Sequence, residues 1–153
     1  MIAVECYADE KLVGILGVGK KQIRHEGCKG NIFRKLKKES SGTGLVDQDP
    51  GSAQPGELKN YRKVEEGDGI ELYIHQGTPD KRIIMMCPRL EDWLISRARA
   101  AGIKPEDFGL EKEPLALHRS GRYDRRSGYV AFIKALWEKD RGMKRLEEWV
   151  RRR

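Results

Sequence analysis

At 153 residues the chain is long enough to bury one hydrophobic core, and its composition of 38% hydrophobic and 36% charged residues, with the apolar ones in periodic runs, excludes a disordered chain. The formal charge of +7 favours phosphate-bearing partners without defining a site, and no apolar run has the length of a membrane span. Cys6, Cys28 and Cys87 have no close pairing, which argues against a disulfide framework and fits a reducing compartment. The opening Met1-Ile2-Ala3-Val4-Glu5 lacks the basic region and cleavage site of a signal peptide, so the cytoplasm is the expected location.

Met1 to Cys6 reads as a short buried strand that ends in an acid. Asp9 marks the start of a helix carrying Leu12, Val13 and Leu16, stopped by Gly17 and Gly19. Lys21 to His25 is a second strand. Asn31 caps the next helix, which buries Ile32, Phe33 and Leu36 and exposes Arg34, Lys35, Lys37 and Lys38. Leu45 and Val46 form a third strand that runs into Asp47-Gln48-Asp49-Pro50-Gly51.

Residues 51–69, rich in Gly, Pro, Ser and charge, read as a long mobile loop. Ile70 to Gln76 and Arg82 to Cys87 read as strands around the turn Thr78-Pro79-Asp80. Leu90 to Ala101 is a helix closed by Gly102. Lys104 to Gly121 is irregular. Two more helices follow, Asp124 to Trp137 and Met143 to Val150, with Gly142 as the break. Trp93, Phe132, Trp137 and Trp149 fall at core spacing within these helices.

Strand and helix alternate through the first half with short links. That order predicts an α/β, Rossmann-like domain with a mostly parallel sheet flanked by helices and a helical C-terminal segment. The expected organisation is a single domain over 1–153: a metal-site half at 1–50, the loop at 51–69, strands and a helix at 70–101, and helices at 102–153. In such sheets ligands bind beyond the carboxyl ends of the strands, where Glu5, Asp47 and Asp49 stand.

Asp47 and Asp49 occupy alternate positions before a forced turn at Pro50-Gly51. By itself this is also a good turn sequence. Glu5, an acid at the end of a separate buried strand, is poorly explained by a turn. Crowded carboxylates call for a cation, and hard oxygen donors with incomplete coordination suit Mg²⁺ or Mn²⁺ meeting phosphate oxygens.

Val4-Glu5-Cys6-Tyr7-Ala8-Asp9-Glu10 followed by Leu45-Val46-Asp47-Gln48-Asp49-Pro50-Gly51 resembles the Toprim domain family of topoisomerases, bacterial primases, small ribosomal-RNA maturases and overcoming-lysogenization-defect (OLD) nucleases. The resemblance covers residues 1 to about 101 and is closest to the OLD-type branch. It implies Glu5 as a general acid or base, an acid that in some members also helps bind metal, and Asp47 and Asp49 as the metal-binding pair. It implies Asp9 as an accessory acid at the first helix. Glu26-Gly27-Cys28-Lys29-Gly30-Asn31 resembles a glycine- and lysine-bearing loop after the second strand, with Lys29 meeting a phosphate. Cys87-Pro88-Arg89-Leu90-Glu91-Asp92-Trp93 resembles a later strand-to-helix segment whose acid, here Glu91, opens the helix. Cys6 stands where the family usually has glycine, so a side chain is expected beside the phosphate or metal.

Other signals are weaker. Gly14 to Lys20 fits the first part of a Walker A loop, but Lys21 stands where Ser or Thr would hold magnesium, and a helix precedes the glycines. His25 and Cys28 have no second close pair with which to hold zinc. The basic run on the second helix reads as a solvated face. Two functional readings follow. One is a Mg²⁺-dependent phosphoryl-transfer enzyme, most simply a nuclease on RNA or DNA. The other is a non-catalytic module that binds nucleic acid or a protein partner, by analogy with phage-defence and mobile-element systems.

Overall fold

The computed structural model describes residues 1–152. These form an α/β fold, Rossmann-like, built on a mostly parallel six-stranded sheet: β1 (Ile2–Val4), β2 (Ile23–His25), β3 (Gly42–Asp47), β4 (Tyr61–Gly67), β5 (Ile70–His75) and β6 (Lys81–Met86). The strand order is β2-β1-β3-β6-β5-β4. The first four of these are parallel, and β5 and β4 add an antiparallel edge.

The helices are α1 (Tyr7–Ile15), α2 (Lys29–Lys38), α3 (Leu90–Ala101), α4 (Pro114–Arg119), α5 (Ser127–Lys139) and α6 (Arg141–Arg151). Successive strand residues face opposite sides of a sheet. Ile2, Val4, Leu45, Ile84 and Met86 accordingly face a large core shared with α1, α3, α5 and α6. Ala3, Val46, Ile83 and Met85 face a smaller one closed by Ile32, Phe33 and Leu36 of α2. Trp93, Phe132 and Trp149 are buried in the large core and Trp137 packs against it, as their spacing suggests.

Helix starts differ from the sequence expectation. Asp9 is not the first residue of α1 but its third, and Cys6 is the cap. The Cys6 sulfur accepts the Asp9 N–H at 3.5 Å, and the Cys6 N–H donates back to the Asp9 carboxylate at 3.2 Å. This reciprocal capping box supplies the donors that an isolated helix end lacks. Asn31 lies inside α2, where its side chain donates to the Glu26 carbonyl at 2.8 Å. Asp140, rather than Gly142, separates the last two helices, because its carboxylate accepts the Met143 N–H at 2.9 Å and caps α6.

The segment 51–69 is not a continuous loop. It contains a 3₁₀ turn, Gly56–Asn60, and the edge strand β4, which pairs with β5 through the two-residue turn Asp68-Gly69. Both turn residues have positive φ, +54° and +80°. That geometry matches the twist of a hairpin and favours Asp-Gly. Residues 104–121 hold the 3₁₀ turn Pro105–Phe108 and the short α4. No described helix is long and apolar enough to cross a membrane.

Candidate functional site

The chain leaves β1 through α1 to reach β2 on one side, and returns through α2 to β3 on the other side of β1. The two connections diverge between β1 and β3, and their departing backbones leave a crevice at the carboxyl ends of these strands. Glu5 follows β1 and Asp47 ends β3, so both acids stand at this switch point. The Asp47 N–H donates to Glu5 Oε1 at 3.2 Å, which ties the two strand ends together. The Leu90 N–H at the start of α3 donates to Asp47 Oδ1 at 2.9 Å.

Asp9 and Glu91 complete an inner acidic group. Asp9 is 4% exposed and Glu91 7% exposed, so neither charge is dispersed by water. Burial pushes the Asp47 carboxyl up to about 8, and the charges of Asp9, Glu5 and Glu91 add to the effect. Asp9 is raised to about 7, again first by burial, with Glu5 and Glu91 adding and the Cys6 donors opposing. Glu5 is raised by burial as well, against the pull of the Asp47 N–H and the Lys29 ammonium. Carboxyls raised as far as those of Asp47 and Asp9 exchange protons near neutral pH.

Asp49 differs from this group. It is turned outward, accepts the Ser52 hydroxyl at 3.0 Å and pairs with Arg89 at 3.2 Å. The Ser52 hydroxyl, then the Arg89 guanidinium, hold its carboxyl below the usual range. Lys29, at the first turn of α2, reaches across to donate to the Gln48 carbonyl at 3.0 Å and to Gln54 Oε1 at 3.1 Å. Its ammonium therefore lies on the acidic loop, close enough to lower the Glu5 carboxyl. Among the described residues no group of three or more His, Cys, Asp or Glu side chains is arranged to hold a metal ion.

The Cys6 side chain is engaged in the α1 cap, where its thiol donates to Asp9 Oδ2 at 3.2 Å. Burial and the Asp9 charge push its pKa far upward, so it stays a thiol.

The structure also recruits residues that the sequence did not single out. Arg89 holds Asp49. Tyr123 donates its hydroxyl to Glu91 Oε1 at 2.9 Å, and His118 Nδ1 lies 3.2 Å from the same oxygen. Tyr129 donates to the Ala8 carbonyl at 2.9 Å beneath α1. The C-terminal segment thus forms one wall of the acidic group. Arg89 lies two residues before Glu91, in a segment the sequence marks, whereas nothing local marks His118 or Tyr123. The chain matches no family model, no curated protein and no solved structure.

Proposed function

We propose that the chain is a compact Toprim-type domain catalysing phosphoryl transfer with Mg²⁺ or Mn²⁺, most simply a nuclease acting on RNA or DNA. The observation that carries this reading is the meeting of Glu5 and Asp47 at the β1/β3 switch point, hydrogen-bonded to one another and desolvated, with the Lys29 ammonium beside them. The donor set fits a hard cation. Glu5 and Asp47 each engage one carboxylate oxygen in the hydrogen bonds described and leave the other available. One or two carboxylates are what Mg²⁺ usually takes from a protein when phosphate oxygens supply further ligands. Asp49 can join them only by giving up Arg89 and Ser52.

When bound, the cation would polarise a phosphodiester and acidify an attacking water. Asp47 and Glu5 would hold it. Where it does not complete the coordination, Glu5 would take a proton from the nucleophile or give one to the leaving oxygen through the carboxylate oxygen that the Asp47 N–H leaves free. Lys29 would balance phosphate charge, since its hydrogen bonds to Gln48 and Gln54 keep it on the loop. Asp9 and Glu91 would act from behind as accessory acids that raise Asp47. Three free thiols suit a reducing, cytoplasmic setting.

The engagement of Asp49 with Arg89 and Ser52 favours a second reading, a Toprim-like module that binds nucleic acid or a protein partner without cutting. Cleavage of labelled RNA and DNA with Mg²⁺ or Mn²⁺, by the native chain and by Asp47→Asn and Asp49→Asn, separates the two. The enzyme reading requires cation-dependent cleavage that Asp47→Asn abolishes while binding persists; Asp49→Asn abolishes it as well only where Asp49 leaves Arg89 and Ser52 to join the ion. No cleavage of either substrate with either cation leaves the module.

A further inference from the structure

A groove of 680 Å³ runs between α1 and α5, beyond the candidate site. Its wall is apolar, with Ile15, Val18, Ile23 and Val130 along it. Lys11, Lys20 and Lys134 stand at its rim, and none of them is in an ion pair among the described residues. The acids of the groove, Glu10 and Asp124, are outnumbered by the three lysines and Arg122. Asp124 receives both Nε and Nη2 of Arg122, at 2.9 and 3.0 Å, and Glu10 faces His25 at 3.7 Å. The groove therefore presents unbalanced positive charge over an apolar floor.

Tyr7 closes the end nearest the carboxylates. It is 47% exposed, unusual for an aromatic residue in this chain. The Arg122 guanidinium lies 3.7 Å from its ring centroid, and the His25 ring stands edge-on at 4.1 Å. His25 Nε2 is in turn 3.1 Å from the Glu5 carbonyl, so this aromatic end adjoins the strand end that carries the proposed catalytic acid. Cations along an apolar channel that ends in a half-exposed aromatic ring, one face of which carries the Arg122 guanidinium, are features that hold an unpaired nucleic-acid strand: lysines track the backbone, and the exposed part of the ring and the guanidinium plane stack a base.

We propose that this groove binds a single-stranded nucleic acid and feeds it past Tyr7 to the carboxylates. The proposal rests on the phosphoryl-transfer reading for its direction, not for its binding test. The charge argues for nucleic acid over an apolar peptide, and the apolar lining that ends at the Tyr7 ring argues for one strand with unpaired bases over a duplex.

The test measures fluorescence anisotropy of end-labelled single-stranded RNA and DNA in EDTA, across a salt series, with the matching duplexes as competitors. The double variant Lys11→Glu/Lys134→Glu should weaken single-strand binding at least tenfold. It should also reduce the salt slope by about 1.4, roughly 0.7 for each phosphate of a single strand that is no longer neutralised. Tyr7→Ala should weaken binding roughly tenfold with little change in slope, as removal of a stacked base does. Lys59→Glu/Arg62→Glu, on the opposite edge of the sheet, should leave affinity within twofold.

Unchanged affinity in the Lys11/Lys134 variant overturns the groove, as does absence of binding by the native chain. Tighter binding of duplex than of single strand, equally sensitive to the groove substitutions, overturns the single-strand assignment. Cleavage by the native chain with groove-independent binding sinks the groove and leaves the nuclease reading. Groove-dependent binding without any cleavage upholds the groove and sinks the nuclease reading instead.

Discussion

Asp9→Asn tests whether the acidic group is held together at an electrostatic cost. Asp9 is fully buried inside the α1 capping box, and its carboxyl is raised from 3.8 to about 7. The unfolded chain releases this proton near its ordinary value, while the folded chain keeps it until about 7. Between those values the native state binds more protons than the unfolded state, so stability falls as pH rises. The contribution is fully present below the unfolded pKa and gone above the folded one. Three pKa units correspond to at most ~4 kcal/mol, and proton sharing with Glu5, Asp47 and Glu91 reduces the share of one residue to roughly 2 kcal/mol. Asparagine keeps an oxygen for the Cys6 N–H and has nothing to ionise. In EDTA, the variant should match the native chain at acidic pH and exceed it by roughly 2 kcal/mol at pH 8, a gain of about 4–8 °C in melting temperature. Calorimetry or urea denaturation across pH gives the comparison. A difference that stays the same at every pH, or a variant less stable at pH 8, refutes the assignment of a raised carboxyl at this position.

Asp68 ties the β4–β5 turn to α6 and α3, because its carboxylate meets Arg141 at 2.8 Å, Arg145 at 3.1 Å and Arg97 at 3.5 Å. Asp68→Asn should cost about 2 kcal/mol through removal of the charge alone, and Asp68→Ala about 1 kcal/mol more because alanine dislikes the positive φ; equal losses in urea denaturation would contradict the turn argument. Gly128→Ala should cost at least about 3 kcal/mol, or prevent folding, because an added Cβ would run into the Phe108 carbonyl oxygen; circular dichroism and solubility report this. Cys6→Ala should lose about 1 kcal/mol by removing the cap of α1, measured as a shift in urea midpoint.

Much of the sheet was legible because apolar residues recur with the period of each element. Ile83 to Met86 and Leu90 to Ala98 gave their strand and helix by pattern alone. β4 was not legible in this way. Arg62, Lys63 and Val64 are exposed and a bulge lies between Lys63 and Glu65, so an edge strand lacks the alternation of a half-buried one. Asp68-Gly69 was the available signal: this dipeptide selects a two-residue hairpin and implies a strand on each side. The break at 140 was misplaced for a similar reason. Glycine at 142 suggested an end, but the groups that interrupt the helix are the Asp140 carboxylate and the two partners it holds, the Met143 N–H and Arg97 at 3.1 Å.

The candidate site was legible only as far as residue types and strand ends can carry it. Glu5 and Asp47 meet because the crossover directions diverge between their strands, and that follows from the alternation of strand and helix. The orientation of Asp49 does not follow from it. Asp49 adopts φ +49° and turns to Arg89, a residue 40 positions away that is brought beside it only when β6 has paired with β3. Glu91 shows the same limit from the other direction. Its burial depends on Tyr123 and His118, which lie well beyond α3 in the chain. Without those partners a carboxylate at this depth would have to remain solvated, and its influence on Asp9 and Asp47 would weaken. The C-terminal helices are therefore part of the electrostatics of the site: by covering Glu91 they help keep Asp47 poised near neutral pH.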